Sequence, residues 1–230
     1  MDFTPFRIIT FDCFGTLIDW ENGILSAIRP VIERYGVVAD DREILEEYAR
    51  IEAKHEEGDF VDYRMVLRFV MAEMSFRFGF DAEPAELDCL TRSIGSWDPF
   101  PDTIGALKRL RNRFKLAIVS NVDDALFEKT AERLEVAFDW IVTAQQAGAY
   151  KPSKRVFDRA LKTIDRPRCE ILHVAQSLYH DIAPAKELGL STVWVNRRTG
   201  KAGFGATPAA SATPDLEVPD LATLIDLIEM

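Results

Sequence analysis

The chain has 230 residues, 47% of them apolar, and a formal net charge of −10. That apolar share is enough to fill a core and excludes wholesale disorder, and the length suits one large domain or a core with a modest insert. Lys and Arg are scattered without a basic run, which argues against a nucleic-acid partner, and no apolar run reaches the roughly 18 residues of a membrane span.

Cys13, Cys89 and Cys169 are odd in number and lack CxxC spacing. They read as free thiols of a reducing compartment. The N-terminus shows no charged segment followed by an apolar signal core. A cytoplasmic protein is the expectation.

The first element is the apolar run Ile8-Ile9-Thr10-Phe11, broken by Asp12-Cys13-Phe14-Gly15-Thr16. A buried strand that stops at an acid and a Gly-containing turn exposes that acid at the carboxyl edge of a sheet, where open α/β sheets bind ligands. Asp12 is therefore read as a nucleophile or a metal ligand, or as a turn cap. Cys13 points the other way on an extended segment and reads as a small filler.

After Trp20 the pattern is helical up to residue 96. Ile24, Ile28, Val31 and Ile32 share one face. Asp40-Asp41 caps a second helix with Ile44, Leu45, Tyr48 and Ile51. A third carries Tyr63, Val66, Leu67, Val70, Met71 and Met74 and ends near Gly79. A fourth carries Leu87, Leu90 and Ile94 and ends near Gly95. No strand interrupts them, so the stretch reads as an all-helical insert.

From Trp97 the texture alternates. Asp102 is placed to cap a helix through Leu107 and Leu110. Lys115 to Asn121, Trp140 to Thr143, Glu170 to Val174 and Ser191 to Val195 read as strands with helices between them. Alternation of this kind implies right-handed crossovers and a parallel sheet. The stretch Thr199 to Pro214 has no period and reads as a loop. A short strand at Leu216 to Val218 and a helix from Leu221 to Ile228 close the chain.

Several strand ends carry polar residues that a purely structural strand does not need: Asp12, Ser120 and Asn121, Lys151 after a turn, and Gln176, Ser177 and Asp181. In a parallel sheet these ends gather on one edge. Each has a plain structural explanation alone, as cap or solvated side chain. Together they bring two carboxylates, an ammonium and neutral donors to one place.

In this order the motifs Asp12-x-Phe14-Gly15-Thr16-Leu17, Ser120-Asn121, Lys151-Pro152 and Asp181 resemble the haloacid dehalogenase superfamily of hydrolases. The resemblance implies an α/β fold: a doubly wound parallel-sheet, Rossmann-like core from residues 1–18 and 97–230, with a helical cap over 19–96. It implies that Asp12 is the nucleophile, that Ser120 and Asn121 donate hydrogen bonds, that Lys151 neutralises the nucleophile, and that Asp181 belongs to the acidic fourth motif.

The superfamily's phosphatases carry a second Asp two residues after the nucleophile and an acid at the start of the fourth motif. Here those positions are Phe14 and Gln176. The pattern is similar to the 2-haloacid dehalogenase branch, which implies a metal-independent enzyme with no cofactor. The implied reaction is attack by Asp12 on carbon 2 of a small carboxylate, most simply a 2-haloacid, followed by hydrolysis of the ester with Asp181 activating water.

By the same resemblance Arg50 is the cap residue placed to hold the leaving group, with Arg64 and Arg68 as competitors and a solvated helix arginine as the plain alternative. Trp20, Phe60, Tyr63 and Phe14 would wall the pocket, and Ser177 would bind substrate. Ala175-Gln-Ser-Leu-Tyr-His-Asp181 and Arg197-Arg-x-Gly-Lys-x-Gly-Phe-Gly-Ala206 look closer to a sub-branch that includes an azetidine-2-carboxylate hydrolase, which implies ring opening as the alternative reaction. His180 reads as solvent-facing. A phosphatase of unusual sequence and a non-catalytic binding module are weaker readings. The implied partner is a small-molecule carboxylate, with no nucleic acid or membrane and with a homodimer allowed.

Overall fold

The computed structural model describes all residues 1–230. Its apolar runs become six parallel strands. These are β1 (Ile8–Phe11), β2 (Lys115–Ser120), β3 (Trp140–Thr143), β4 (Ile171–Ala175), β5 (Ser191–Val195) and β6 (Leu216–Val218), in the spatial order β3-β2-β1-β4-β5-β6. Strands β1 and β4 are buried along their whole length, which is why they read as unbroken apolar runs without alternation.

The order reverses beside β1. Phe11 pairs in register with Ile118 on one side and Val174 on the other, so β1, β2 and β4 end side by side. A doubly wound sheet binds ligands outside the carboxyl ends of its strands at such a switch point. Asp12 is the first residue past the end of β1.

Four helices lie between β1 and β2 ahead of the first helix of the core: α1 (Trp20–Arg34), α2 (Asp41–Glu56), α3 (Tyr63–Phe78) and α4 (Cys89–Ser93). Asp40 caps α2 by accepting the Glu43 N–H at 2.8 Å, and α3 stops at Gly79 in the left-handed region. The fourth helix is shorter than its periodicity suggests. Leu87 lies in a turn, and a 3₁₀ turn over Ile94–Ser96 follows α4. No helix is long and apolar enough to cross a membrane.

The chain leaves and rejoins the sheet layer at one place. Asp19 N–H donates to Asp98 O at 2.8 Å and Phe100 N–H to Leu17 O at 3.0 Å, so the two connections run antiparallel side by side. The insert and one face of the sheet share a single apolar core, in which Ile28, Tyr48, Val66 and Met71 join Ile9, Ile118 and Val174. Cys13 is part of it, fully buried, and burial pushes its thiol well up.

The remaining helices are α5 (Thr103–Leu110), α6 (Asp124–Leu134), α7 (Ala144–Ala147), α8 (Lys154–Ile164), α9 (Ala183–Glu187) and α10 (Leu221–Glu229). On the other face of the sheet a smaller cluster packs Phe157 and Ile164 of α8 against Ile8, Ala117 and Ile171.

Asp102, expected to cap its helix, and Asp123, at the start of α6, both serve other elements. Asp102 makes no side-chain bond to its own helix; its carboxylate accepts from Arg197 and from the Leu221 N–H that opens α10. Asp123 likewise does not cap α6. It reaches across to the insert and accepts the N–H groups of Tyr63 and Arg64 at 2.7 and 3.0 Å, capping α3 from the sheet side.

Candidate active site

Asp12, Lys151 and Asp181 meet at the carboxyl edge. Lys151 Nζ donates to Asp12 Oδ1 at 2.8 Å, to Asp181 Oδ1 at 2.7 Å and to the Val119 carbonyl at 2.9 Å. Those three bonds use all three ammonium protons. Lys151 is 1% exposed, Asp12 7% and Asp181 fully buried.

Burial opposes charge on all three groups, and the outcome differs for each. Burial raises the Asp12 carboxyl more than Lys151 and the Thr16 hydroxyl lower it. Burial also works to raise Asp181, but Lys151 and a hydrogen bond from His173 outweigh it and hold this carboxyl below its usual value. Burial would lower Lys151, yet its two carboxylate partners overcome it and raise it. One ammonium serves two acids, and Asp181 has the further partner.

Local structure positions each group. Thr16 donates to Asp12 Oδ2 at 2.7 Å and accepts the Gln176 N–H at 2.8 Å, tying the β1 loop to the β4 loop. Gly15 makes that loop possible: its φ is +92°, and a Cβ there would stand 2.8 Å from the Trp20 indole nitrogen. Asn121 brackets the lysine backbone, accepting the Lys151 N–H at 2.7 Å and donating to its carbonyl at 3.0 Å. On the other flank Thr10 Oγ lies 2.9 Å from His173 Nδ1, and His173 Nε2 lies 3.1 Å from Asp181 Oδ1.

These groups open on a cavity of about 30 Å³ beneath the helical insert. Phe14, Trp20, Tyr63, Ser120, Asn121 and Ser177 line it. Phe14 and Trp20 are fixed by edge-on contacts, with ring centroids 5.9 Å from Trp97 and 6.1 Å from Tyr48. Ser120 Oγ and Asp181 Oδ2 are buried and have no hydrogen-bond partner, so two polar atoms remain free for a ligand or water.

Three expectations are corrected. Arg50 does not reach the cavity: it is bound to Glu47 at 2.6 Å and its side chain is 47% exposed. The residues sharing the cavity face of α2 are Tyr48, Glu52 and Glu56; Arg50 precedes Glu52 by two residues, about 200° around the helix. Arg64 and Arg68 do not replace it, being paired with Asp123 and Asp88. Phe60 stacks on Tyr150, with centroids 5.2 Å apart, in a neighbouring cavity of about 340 Å³. His180 does not face solvent. A π-helical turn over Leu178–Ile182 turns it inward, where it is buried and lines the catalytic cavity.

Sequence reasoning also passed over Glu52, Glu56, His173 and Thr207. The first two were legible, because Ile44, Tyr48, Glu52 and Glu56 form an i, i+4 ladder that starts apolar and continues acidic. Glu52 Oε1 accepts from Tyr48 at 2.7 Å and from Tyr63, but burial still pushes its carboxyl to about 7. Burial, with Glu52 beside it, pushes Glu56 well up. Thr207 comes from the long loop after β5, which drapes over the insert and reaches the cavity.

The donor set is suited to an ammonium-centred site. Lys151 holds an inward oxygen of each carboxylate, and no three His, Cys, Asp or Glu side chains converge as a metal cage. A buried carboxylate held at both oxygens and flanked by a second carboxylate with a free oxygen is equipped for in-line attack and then for activation of water.

The sequence matches the haloacid dehalogenase-like hydrolase family over residues 6–189. It is 26% identical over 226 residues to haloacetate dehalogenase H-2 of Moraxella sp. (strain B), covering 96% of each chain. It is also 26% identical over 238 residues to (S)-2-haloacid dehalogenase H-109 of Pseudomonas putida, covering 96% of this chain and 97% of that one. Its structure is similar to the crystal structure of an L-2-haloacid dehalogenase with a TM-score of 0.80 and 25% identity, covering 97% and 99% of the two chains. The chain is a hydrolase and belongs to the haloacid dehalogenase-like hydrolase family.

Proposed function

We propose that this enzyme hydrolyses a small 2-substituted carboxylate at carbon 2 by way of an ester on Asp12. The observation that carries the reading is the contact of Lys151 with both Asp12 and Asp181 in one buried cavity. It gives a held nucleophile and, beside it, a second acid with one oxygen free.

In the first half, Asp12 forms a bond to carbon 2, and the pair of the breaking bond departs with the substituent. The substrate carboxylate takes the unpartnered Ser120 hydroxyl. In the second half, a water at the free oxygen of Asp181 attacks the Asp12 carbonyl carbon and passes its proton to Asp181. A cavity of about 30 Å³ has room for a water or two and not for a substrate as well. Phe14, where a phosphatase would carry its acid, supports substitution at carbon over phosphate hydrolysis.

The relatives' names point to halide as the leaving group. One feature favours a second reading. No arginine lines the cavity, and the insert presents Glu52 and Glu56 to it. Even with their protons held, the two carboxyls offer carbonyl oxygens that accept from N–H donors. They suit a protonated ring nitrogen, as in azetidine-2-carboxylate, better than a halide.

The test is halide release from 2-chloropropionate and ring opening of azetidine-2-carboxylate, each with and without a chelator. Chelator-insensitive turnover of either supports the reading and names the leaving group. Inertness toward both, with chelator-sensitive release of phosphate from an aryl phosphate, overturns it.

A further inference from the structure

Glu56 and His180 line the cavity beside Asp12, and the steps above use neither. Their side chains are 5% and 9% exposed. Glu56 lies at the end of α2, where both of its oxygens accept from Asn121 Nδ2 at 3.1 Å. Its Oε2 stands 3.6 Å from His180 Nε2, a buried nitrogen with no hydrogen-bond partner.

The other ring nitrogen faces a hydroxyl. His180 Nδ1 lies 3.2 Å from Ser177 Oγ, which also accepts the His180 backbone N–H at 2.8 Å. Nε2, without a partner and facing a carboxyl, is placed to share one proton with it. The separation of 3.6 Å is too wide for a direct bond, so a Glu56 O–H is free to turn toward a ligand in the cavity.

The reaction has one step that needs such a proton. A halide leaves as an anion and a protonated ring nitrogen leaves as an amine, so neither takes a proton on leaving. Breaking the Asp12 ester releases the substrate's 2-oxygen as an alkoxide, which does need one. Lys151 has no free proton to give, since all three are bonded. The hydroxyls of Tyr48 and Tyr63 are turned to Glu52.

We propose that Glu56, held against His180, is the general acid that protonates the 2-oxygen as the Asp12 ester breaks. The assignment rests on the ester reading above. Water adds to the Asp12 carbonyl carbon and gives a proton to Asp181. The bond between that carbon and the 2-oxygen then breaks, and its electron pair goes to oxygen. The oxygen takes the Glu56 proton, which frees a 2-hydroxy acid and leaves Asp12 as a carboxylic acid, whose proton passes to solvent to restore the carboxylate beside Lys151. The proton on Asp181 returns to Glu56.

The surroundings keep this pair in the required form. Glu56 faces Glu52 on its own helix, and Asn121, Lys151 and Asp181 from the core. Burial and Glu52 raise it, outweighing Asn121 and Lys151, so the carboxyl holds its proton. Burial lowers His180 to about 4, so the ring stays neutral. Tyr150 and Tyr179 lie nearby, and burial raises both, so neither adds charge.

The test is rapid mixing with 2-bromopropionate, and in parallel with azetidine-2-carboxylate, followed by acid quench and mass analysis of the Asp12 peptide. The wild type should show a transient adduct. Glu56→Gln should form the adduct at close to the wild-type rate and hydrolyse it at least ~100-fold more slowly, the low end for general acid catalysis. The adduct then accumulates, and turnover becomes independent of the leaving group. His180→Gln should show the same split to a smaller degree, and Glu56→Asp should recover part of the hydrolysis rate.

Hydrolysis in the wild type should slow as pH rises through the Glu56 titration, a limb that Glu56→Gln removes. Wild-type hydrolysis rates in both Gln variants overturn the assignment. So does equal slowing of both halves in variants that melt like the wild type. Absence of any wild-type adduct with either probe overturns the ester reading first, and this assignment with it.

Discussion

Lys151 Nζ lies 2.8 Å from Asp12 Oδ1, and neither side chain is more than 9% exposed. This pair links the fold to the chemistry, because a carboxylate so far from water carries charge only while the ammonium stays beside it. Lys151→Met should therefore lower turnover on the order of 10³-fold. It should also destabilise the protein at pH 7 by about 3–5 kcal/mol, the range for a buried pair that loses one partner. The deficit should shrink at low pH, where Asp12 and Asp181 of the variant, deprived of the ammonium, take up protons and need no partner. Urea unfolding at pH 7 and pH 4 checks this.

Glu52 gives a stability signal of known sign. Its carboxyl sits at about 7 in the folded protein against an ordinary value of 4.5, because burial outweighs the two tyrosine hydroxyls. Between those values the folded state holds a proton that the unfolded state has lost. This group's contribution to stability therefore falls as pH rises from about 4.5 to about 7, and is level above that. Glu52→Gln removes the fall. The variant should gain on the wild type in urea unfolding at pH 8 relative to pH 5. A constant difference between the two would contradict the assignment.

Asp123 joins the sheet layer to the insert by capping α3 with a carboxylate from another element. Asp123→Ala should cost about 1–2 kcal/mol, the upper part of the range for a lost cap, since the freed N–H groups of Tyr63 and Arg64 lie at the layer boundary. Limited proteolysis should then cut faster between Gly58 and Arg64. Unchanged stability and unchanged cleavage would show that the clamp is not formed.

Arg50 provides a negative control. It is half exposed, bound to Glu47, and turned away from the cavity. Arg50→Ala should change stability by no more than about 0.5 kcal/mol and leave kcat/KM within roughly threefold. A loss of tenfold or more would mean that the insert turns α2 during the reaction.

The chemistry of the sheet edge was legible because its strands are short, apolar and interrupted by polar residues. Asp12 and Ser120 stand where those runs break, Lys151 and Asp181 follow in the segments after β3 and β4, and the parallel register brings these ends together. The insert was less legible. Periodicity gives each helix a buried face but not what that face meets, so Arg50 was chosen by its chain position while Glu52 and Glu56, on the ladder from Ile44, were passed over. His180 was missed for a local reason. A histidine at a helix start reads as solvent-facing, whereas the π turn over Leu178–Ile182 carries it buried against the cavity. Asp102 and Asp123 sit at helix starts, but their carboxylates serve other elements, a choice made by tertiary neighbours that a window of sequence does not contain.

The central claim is that an oxygen of Asp12, and not water, bonds to the substrate. A single turnover with enzyme in excess, in water enriched in the heavy oxygen isotope, tests it most directly. The product's new hydroxyl should be unlabelled, and one heavy oxygen should appear in the peptide carrying Asp12. Heavy oxygen in the product of that first turnover, with Asp12 unlabelled, would show direct attack by water and contradict the account.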